Sequence, residues 1–263
     1  MSDFWGFGGY QRTAEGFLSW QHLTFVSTIM AIMTVLAIVF GRKMRNSSPA
    51  QKNMPLIAAA IIMDGAEINK VLLKCTLGGD PMCWMYALPL FVCSVQLITV
   101  PLAAFSKGRI RDAALDFLFI FGLIGAVLGT YAAGDSYSAY PVLSLDNVTS
   151  GITHGSIGFS ALYIMIARMV SMKKENMWIS FIILIVFCAA AHIANEIIGC
   201  NYMFMSSGGG TPYDILYNLV SGHPLLYPIG VVAVFICYMT VFYAAYFLSH
   251  RRTKTQKPSA QPL

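Results

Sequence analysis

Charge is what this sequence has least of: Asp, Glu, Lys and Arg make up 11% of its 263 residues, and hydrophobic types 57%. A soluble domain carries roughly 25% charged residues. The shortage excludes an ordinary water-soluble enzyme and implies a chain that crosses a membrane several times. A cleavable signal is lacking as well, because residues 1–16 hold Asp3, Arg12, Glu15 and several aromatics instead of a basic start and an apolar run. No C-x-x-C pair is present, so a zinc–thiolate site has no support. The absence of an H-x-x-x-H pair counts against a seven-helix zinc hydrolase built on His154, His192 and Glu196. The last apolar stretch contains no lysine for a retinal Schiff base. Repeats, linkers and low-complexity runs are absent, and one domain is expected.

Long apolar stretches are what the sequence does have. A spanning helix takes about 20 mostly apolar residues. Seven stretches supply them: 17–40, 54–74, 86–105, 112–132, 148–170, 178–198 and 225–248. Short loops rich in Lys and Arg stay cytoplasmic. The first loop has Arg42, Lys43, Arg45 and Lys52, the third Lys107, Arg109 and Arg111, and the fifth Lys173 and Lys174. The tail adds Arg251, Arg252, Lys254 and Lys257, whereas the second, fourth and sixth loops have no Lys or Arg. This alternation predicts an all-α membrane protein of seven transmembrane helices, N-terminus outside and C-terminus cytoplasmic. The whole of 1–263 forms a single seven-helix domain, with 1–16 an outer interfacial segment and 249–263 a cytoplasmic tail. The net charge of +5 follows from those inner loops and implies no nucleic-acid partner.

Ionisable groups inside a bilayer are expensive and mark function or a pairing partner. Counting about 1.5 Å per residue along each helix places His22, Glu67, Lys70, Cys93, His154, His192, Asn195 and Glu196 in the outer half of the membrane. Asp64 falls nearer the midplane, and Asp112 and Asp116 read as cytoplasmic helix-end residues. Plainer readings exist for each: Glu67 and Lys70, three apart, as an ion pair, His22 as packing, and His192 with Glu196 as a polar helix end. One disulfide among Cys75, Cys83 and Cys200 suits an oxidising outer side. Asn147-Val-Thr matches a glycosylation acceptor.

Cys93 with His154 has the strongest chemical logic. A thiol needs a neighbouring base to act as a nucleophile, and imidazole is the usual one. A third group then orients the histidine, for which Asn195, Glu67 and Asn201 are candidates. Gln96, one turn below Cys93, is a candidate oxyanion donor.

Three stretches carry a family likeness: Leu88-Pro-Leu-Phe-Val-Cys-Ser94, then Thr153-His-Gly155 leading to Ala161-Leu-Tyr163, then Asn195 through Gly199-Cys-Asn-Tyr-Met-Phe204. Together they resemble the YwaF-like integral membrane proteins of bacteria, which are similar to a vertebrate ether-lysophospholipid acyltransferase. The resemblance implies a lipid acyltransferase, or a lipid hydrolase if water takes the acyl group, in a bacterial plasma membrane. It implies Cys93 as nucleophile, His154 as base, membrane lipids as partners and no metal or other cofactor. Phe91 stands where many relatives have a histidine. The competing expectation is a non-enzymatic carrier or receptor that holds a ligand or lipid near Glu67 and Lys70, beside the helix-breaking Pro89 and Pro101.

Overall fold

The computed structural model describes residues 2–6, 10–78, 81–170 and 172–255. The glycine-rich centre of the head, 7–9, and the end of the tail, 256–263 with Lys257, lie outside the described residues. Among those described, all regular structure is helical: α1 (Ser2–Trp5), α2 (Trp20–Met44), α3 (Pro49–Leu77), a 3-10 turn (Cys83–Ala87), α4 (Gln96–Phe105), α5 (Gly108–Tyr131), α6 (Gly134–Ala139), α7 (Leu145–Ile166), α8 (Lys174–Ile198), a second 3-10 turn (Tyr202–Phe204), α9 (Tyr213–Leu219) and α10 (Leu226–Thr255). They form two compact units, Met1–Ser171 and Met172–Leu263.

Local sequence sets several helix starts. Ser19 Oγ accepts the His22 N–H at 3.2 Å at the head of α2. Ser48 and Gln51 form a capping box on either side of Pro49 at the start of α3, and Ser144 Oγ accepts the Asn147 N–H at 3.1 Å at the start of α7. Each satisfies an amide that the first turn leaves without a carbonyl.

Four helical stretches are long and apolar enough to cross a membrane: Trp20–Met44, Gly108–Ala139, Lys174–Ile198 and Leu226–Ser249. Apolar side chains stand exposed along them, Ile32, Val35 and Val39 on α2 and Ile182, Val186 and Ile193 on α8, as a lipid-facing surface requires. Helices α3 and α7 have the length, at 29 and 22 residues, but carry polar rows. In the first unit α7 packs against α2, α3 and α5, so its polar residues are turned inward. Thr149, Thr153 and Ser160 are buried. Close approach needs small residues: a Cβ on Gly158 would stand 2.9 Å from Ala126 Cβ.

The third apolar stretch is not the continuous helix expected over 86–105. It is a 3-10 turn, an irregular segment over 88–95, and the ten-residue α4. Pro89 explains the break. A proline disfavours helical backbone in the residue before it, and Leu88 is extended at φ −64° and ψ 144°. Cys93 therefore lies on the turn that feeds α4, not two turns inside a helix. Cys75 and Cys83 form the disulfide, which fastens the end of α3 to the 3-10 turn. Cys200 is free.

Two further expectations change, those for Asp116 and Asn147, whereas the packing reading of His22 is met. Asp116 is fully buried in α5 and is no helix-end residue at a surface. His22 is buried with both ring nitrogens engaged, Nδ1 accepting the Leu18 N–H at 3.1 Å and Nε2 bonding the Thr130 carbonyl at 3.1 Å, which makes it a packing residue. Asn147 is buried too: its amide donates to the Tyr140 and Pro141 carbonyls and accepts from Ser136. The glycosylation motif is thus spent on holding a loop.

In the second unit, α10 packs on α8 and α9. Tyr243 Oη donates to Ser180 Oγ at 3.2 Å, and Tyr227 Oη to the Phe204 carbonyl at 2.7 Å.

Candidate active site

Helix α5 is the floor on which the first unit assembles Cys93 and His154. Gly125 and Gly129 stand one turn apart on it; Cys93 packs against Gly125 at ordinary contact distance, and the His154 ring fills the space of the missing side chain of Gly129. The segment before α4 delivers Cys93, and the middle of α7 delivers His154. The two side chains lie near enough for the charge of one to act on the other.

The tautomer of His154 follows from its partners. Nδ1 lies 2.8 Å from the Ser150 carbonyl oxygen and 3.1 Å from the Ser150 hydroxyl. A carbonyl only accepts, so Nδ1 carries the proton and Nε2 keeps its lone pair. Nε2 is buried and makes no hydrogen bond of normal geometry. With Nδ1 occupied, Nε2 is the nitrogen left for the thiol. The pair is in proximity and short of a formed bond, as catalytic pairs without substrate often are.

Around the sulfur the structure adds Ser94, whose hydroxyl is 4.0 Å from Cys93 Sγ and whose backbone N–H lies close to the thiol. Glu67 forms an ion pair with Lys70, and the two are largely buried. The Glu67 carboxylate is near enough for its charge to act on the His154 ring. Gln96 is buried; Thr99 Oγ1 donates to its Oε1 at 2.6 Å, and its Nε2 has no partner among the described residues. A buried amide donor without an acceptor suits an oxygen that develops charge only during reaction.

The remaining candidates belong to the second unit. Asn195 holds Tyr202 in both directions, accepting its N–H at 2.7 Å and donating to its carbonyl at 3.0 Å. Asn201 accepts from Ser206 and Ser207 and donates back to Ser207. Both are spent on the loop after α8. His192 keeps a buried Nδ1 without a partner among the described residues, and Glu196, one turn on, is exposed. Within either unit no three His, Cys, Asp or Glu side chains among the described residues cluster as metal ligands.

Sequence reasoning missed Ser150 and Ser94. Ser150 was findable, because four residues before a helical histidine is the position whose carbonyl and side chain meet its ring. Ser94 was conspicuous only as the neighbour of Cys93.

An all-helical integral membrane protein with a cysteine–histidine pair is the class these features define. More particularly, a family model described as the TMEM164 family matches residues 17–249, and the chain belongs to that membrane protein family. No curated protein and no solved structure matches it.

Proposed function

We propose that the protein is a membrane-embedded lipid acyltransferase that uses Cys93 as nucleophile and His154 as base. The observation that carries this is the His154 ring itself: Nδ1 held by Ser150, Nε2 free and buried, and the Cys93 thiol beside it. The likeness of the Cys93 and His154 stretches to the YwaF-like proteins supports acyl lipids as the substrates.

Nε2 takes the proton from Cys93 Sγ, and the thiolate attacks the ester carbonyl of a donor phospholipid. The C–O bond breaks, the departing lysolipid oxygen takes that proton from Nε2, and the acyl chain rests as a thioester. An acceptor lysolipid hydroxyl then gives its proton to Nε2 as its oxygen attacks the thioester. The C–S bond breaks and sulfur regains the proton. Water in the acceptor's place gives hydrolysis. Gln96 Nε2 and the Ser94 N–H are the donors available to the oxyanion.

In this reading the chain crosses the membrane seven times, through α2, α3, the broken third stretch, α5, α7, α8 and α10, with the N-terminus outside. A Cys75–Cys83 disulfide fits an outer, oxidising side for the second loop, and the Lys- and Arg-rich loops fit the inside. Irregular backbone at membrane depth is tolerated only inside protein or beside a cavity, so 88–95 would border the lipid entry. That same break favours a carrier as the second reading.

A donor phospholipid with an alkyne-tagged acyl chain separates the two. Incubation with purified protein is expected to leave the tagged acyl group on Cys93, located by peptide mass spectrometry and released by hydroxylamine. Cys93→Ala should remove it. Label that persists in Cys93→Ala overturns the acyltransferase, and a carrier keeps its transport in that variant.

A further inference from the structure

We propose that Gly129 is a positioning residue for the base: the space left by its missing side chain is where the Nε2 edge of His154 sits against α5. This rests on the cysteine–histidine reading above. A Cβ placed on Gly129 would stand 2.0 Å from His154 Nε2, 2.2 Å from Cδ2 and 2.9 Å from Cε1. All three atoms belong to the imidazole, and no backbone atom is met as closely. Gly125 differs. A Cβ there would stand 3.6 Å from Cys93 Cα and Cβ, an ordinary contact. The two glycines look alike in sequence, one turn apart on α5, but only Gly129 is required by the ring.

The reason for a glycine is geometric. Ser150 ties Nδ1 to α7 from one side, so the ring cannot withdraw along its own helix without giving up the bond that fixes its tautomer. Its other edge must then lie on α5, where any side chain would push Nε2 away from the thiol. A methyl group at Gly129 should therefore leave the helices in place and move the base. Catalysis is sensitive to such shifts, since a displacement of about 1 Å can cost about a hundredfold.

The test needs no lipid substrate. Full-length protein is treated with iodoacetamide between about pH 6 and 10, and alkylation of Cys93 is followed by peptide mass spectrometry. His154→Ala is expected to slow alkylation near neutral pH by about tenfold or more, with the gap narrowing only toward the alkaline end of that range, where a thiol ionises unaided. Gly129→Ala should reproduce that profile with the melting temperature nearly unchanged, and Gly65→Ala, where a Cβ meets nothing within 4 Å, should alkylate as the wild type does. If Gly129→Ala is poorly folded, adding His154→Ala should restore folding, because the ring that the methyl meets is then gone. Wild-type alkylation in a folded Gly129→Ala, or a double variant as unstable as the single one, overturns the proposal while the cysteine–histidine reading stands. A His154→Ala profile identical to wild type overturns both.

Discussion

Lys74, near the end of α3, and Asp146, in the first turn of α7, form an ion pair at 2.9 Å, and Tyr10 Oη donates to the other oxygen of that carboxylate at 2.6 Å. The N-terminal segment is thereby latched onto the first unit. Arg12 strengthens it by donating to the Leu143 carbonyl at 2.7 Å, as does Glu15 by accepting the Val142 N–H at 2.7 Å. Burial, and then the Asp146 carboxylate, raise the Tyr10 pKa well above its usual value. The unfolded chain loses this proton near pH 10, whereas the folded chain keeps it. The folded state then binds more protons, and stability falls as pH rises past about 10. Melting curves from about pH 8 to 11 should show a decline that Tyr10→Phe flattens. An equal slope in the variant would mean that Tyr10 does not couple folding to pH.

The two bonds from Ser150 to His154 are separable by mutation. Ser150→Ala removes the hydroxyl at 3.1 Å and leaves the carbonyl at 2.8 Å, so the tautomer survives. Cys93 acylation should slow less than about tenfold, while His154→Asn should slow it by about a hundredfold or more, the usual worth of a general base. Equal losses in the two variants would show that the hydroxyl, and not the carbonyl, fixes the ring.

How much of this was legible in the sequence depends on the kind of signal. The helical class and the apolar stretches follow from composition, since nothing else buries so many uncharged residues. Cys93 and His154 could be paired by counting depth, because both lie at comparable distances from helix ends. Pro89 is visible as a residue, but the apolar run through 86–105 reads as one helix, whereas the structure puts Cys93 at the entrance to α4. Asn195 and Asn201 are ambiguous in sequence for a different reason. A polar residue near the end of an apolar helix looks the same whether it serves chemistry or holds a turn, and only the hydrogen bonds to Tyr202, Ser206 and Ser207 tell the two apart. Nor does the spacing of Gly125 and Gly129 reveal that only the second makes room for the His154 ring.

The Cys75–Cys83 bond closes a loop with a sequence separation of 8 residues. Loop-closure entropy for so short a loop is worth about 2–3 kcal/mol. Cys75→Ser with Cys83→Ser should lower the melting temperature in detergent by several degrees. The intact wild-type protein should weigh about 2 Da less than its fully reduced form, a consequence of the S–S linkage. A wild-type mass that does not change on reduction would mean that the bond is absent, and would remove the support it gives to an oxidising side for this loop.

Asn195 offers the sharpest separation between a structural and a catalytic role. Its carbonyl oxygen accepts the Tyr202 N–H at 2.7 Å and its amide donates to the Tyr202 carbonyl at 3.0 Å, tying the last turn of α8 to the buried start of the 3-10 turn that follows. Truncating Asn195 removes both of these bonds, although the Tyr202 carbonyl keeps the Met205 N–H at 3.2 Å, and each buried bond of this kind is worth about 1 kcal/mol. Asn195→Ala should therefore lower the melting temperature clearly, while the rate of Cys93 alkylation in the surviving folded protein stays within about twofold of wild type. Asn195→Asp keeps the acceptor and loses the donor, so it should fall between the two in stability. If Asn195→Ala instead abolished Cys93 reactivity at an unchanged melting temperature, the residue would be orienting the base, and the hydrogen bonds to Tyr202 would be incidental to its role.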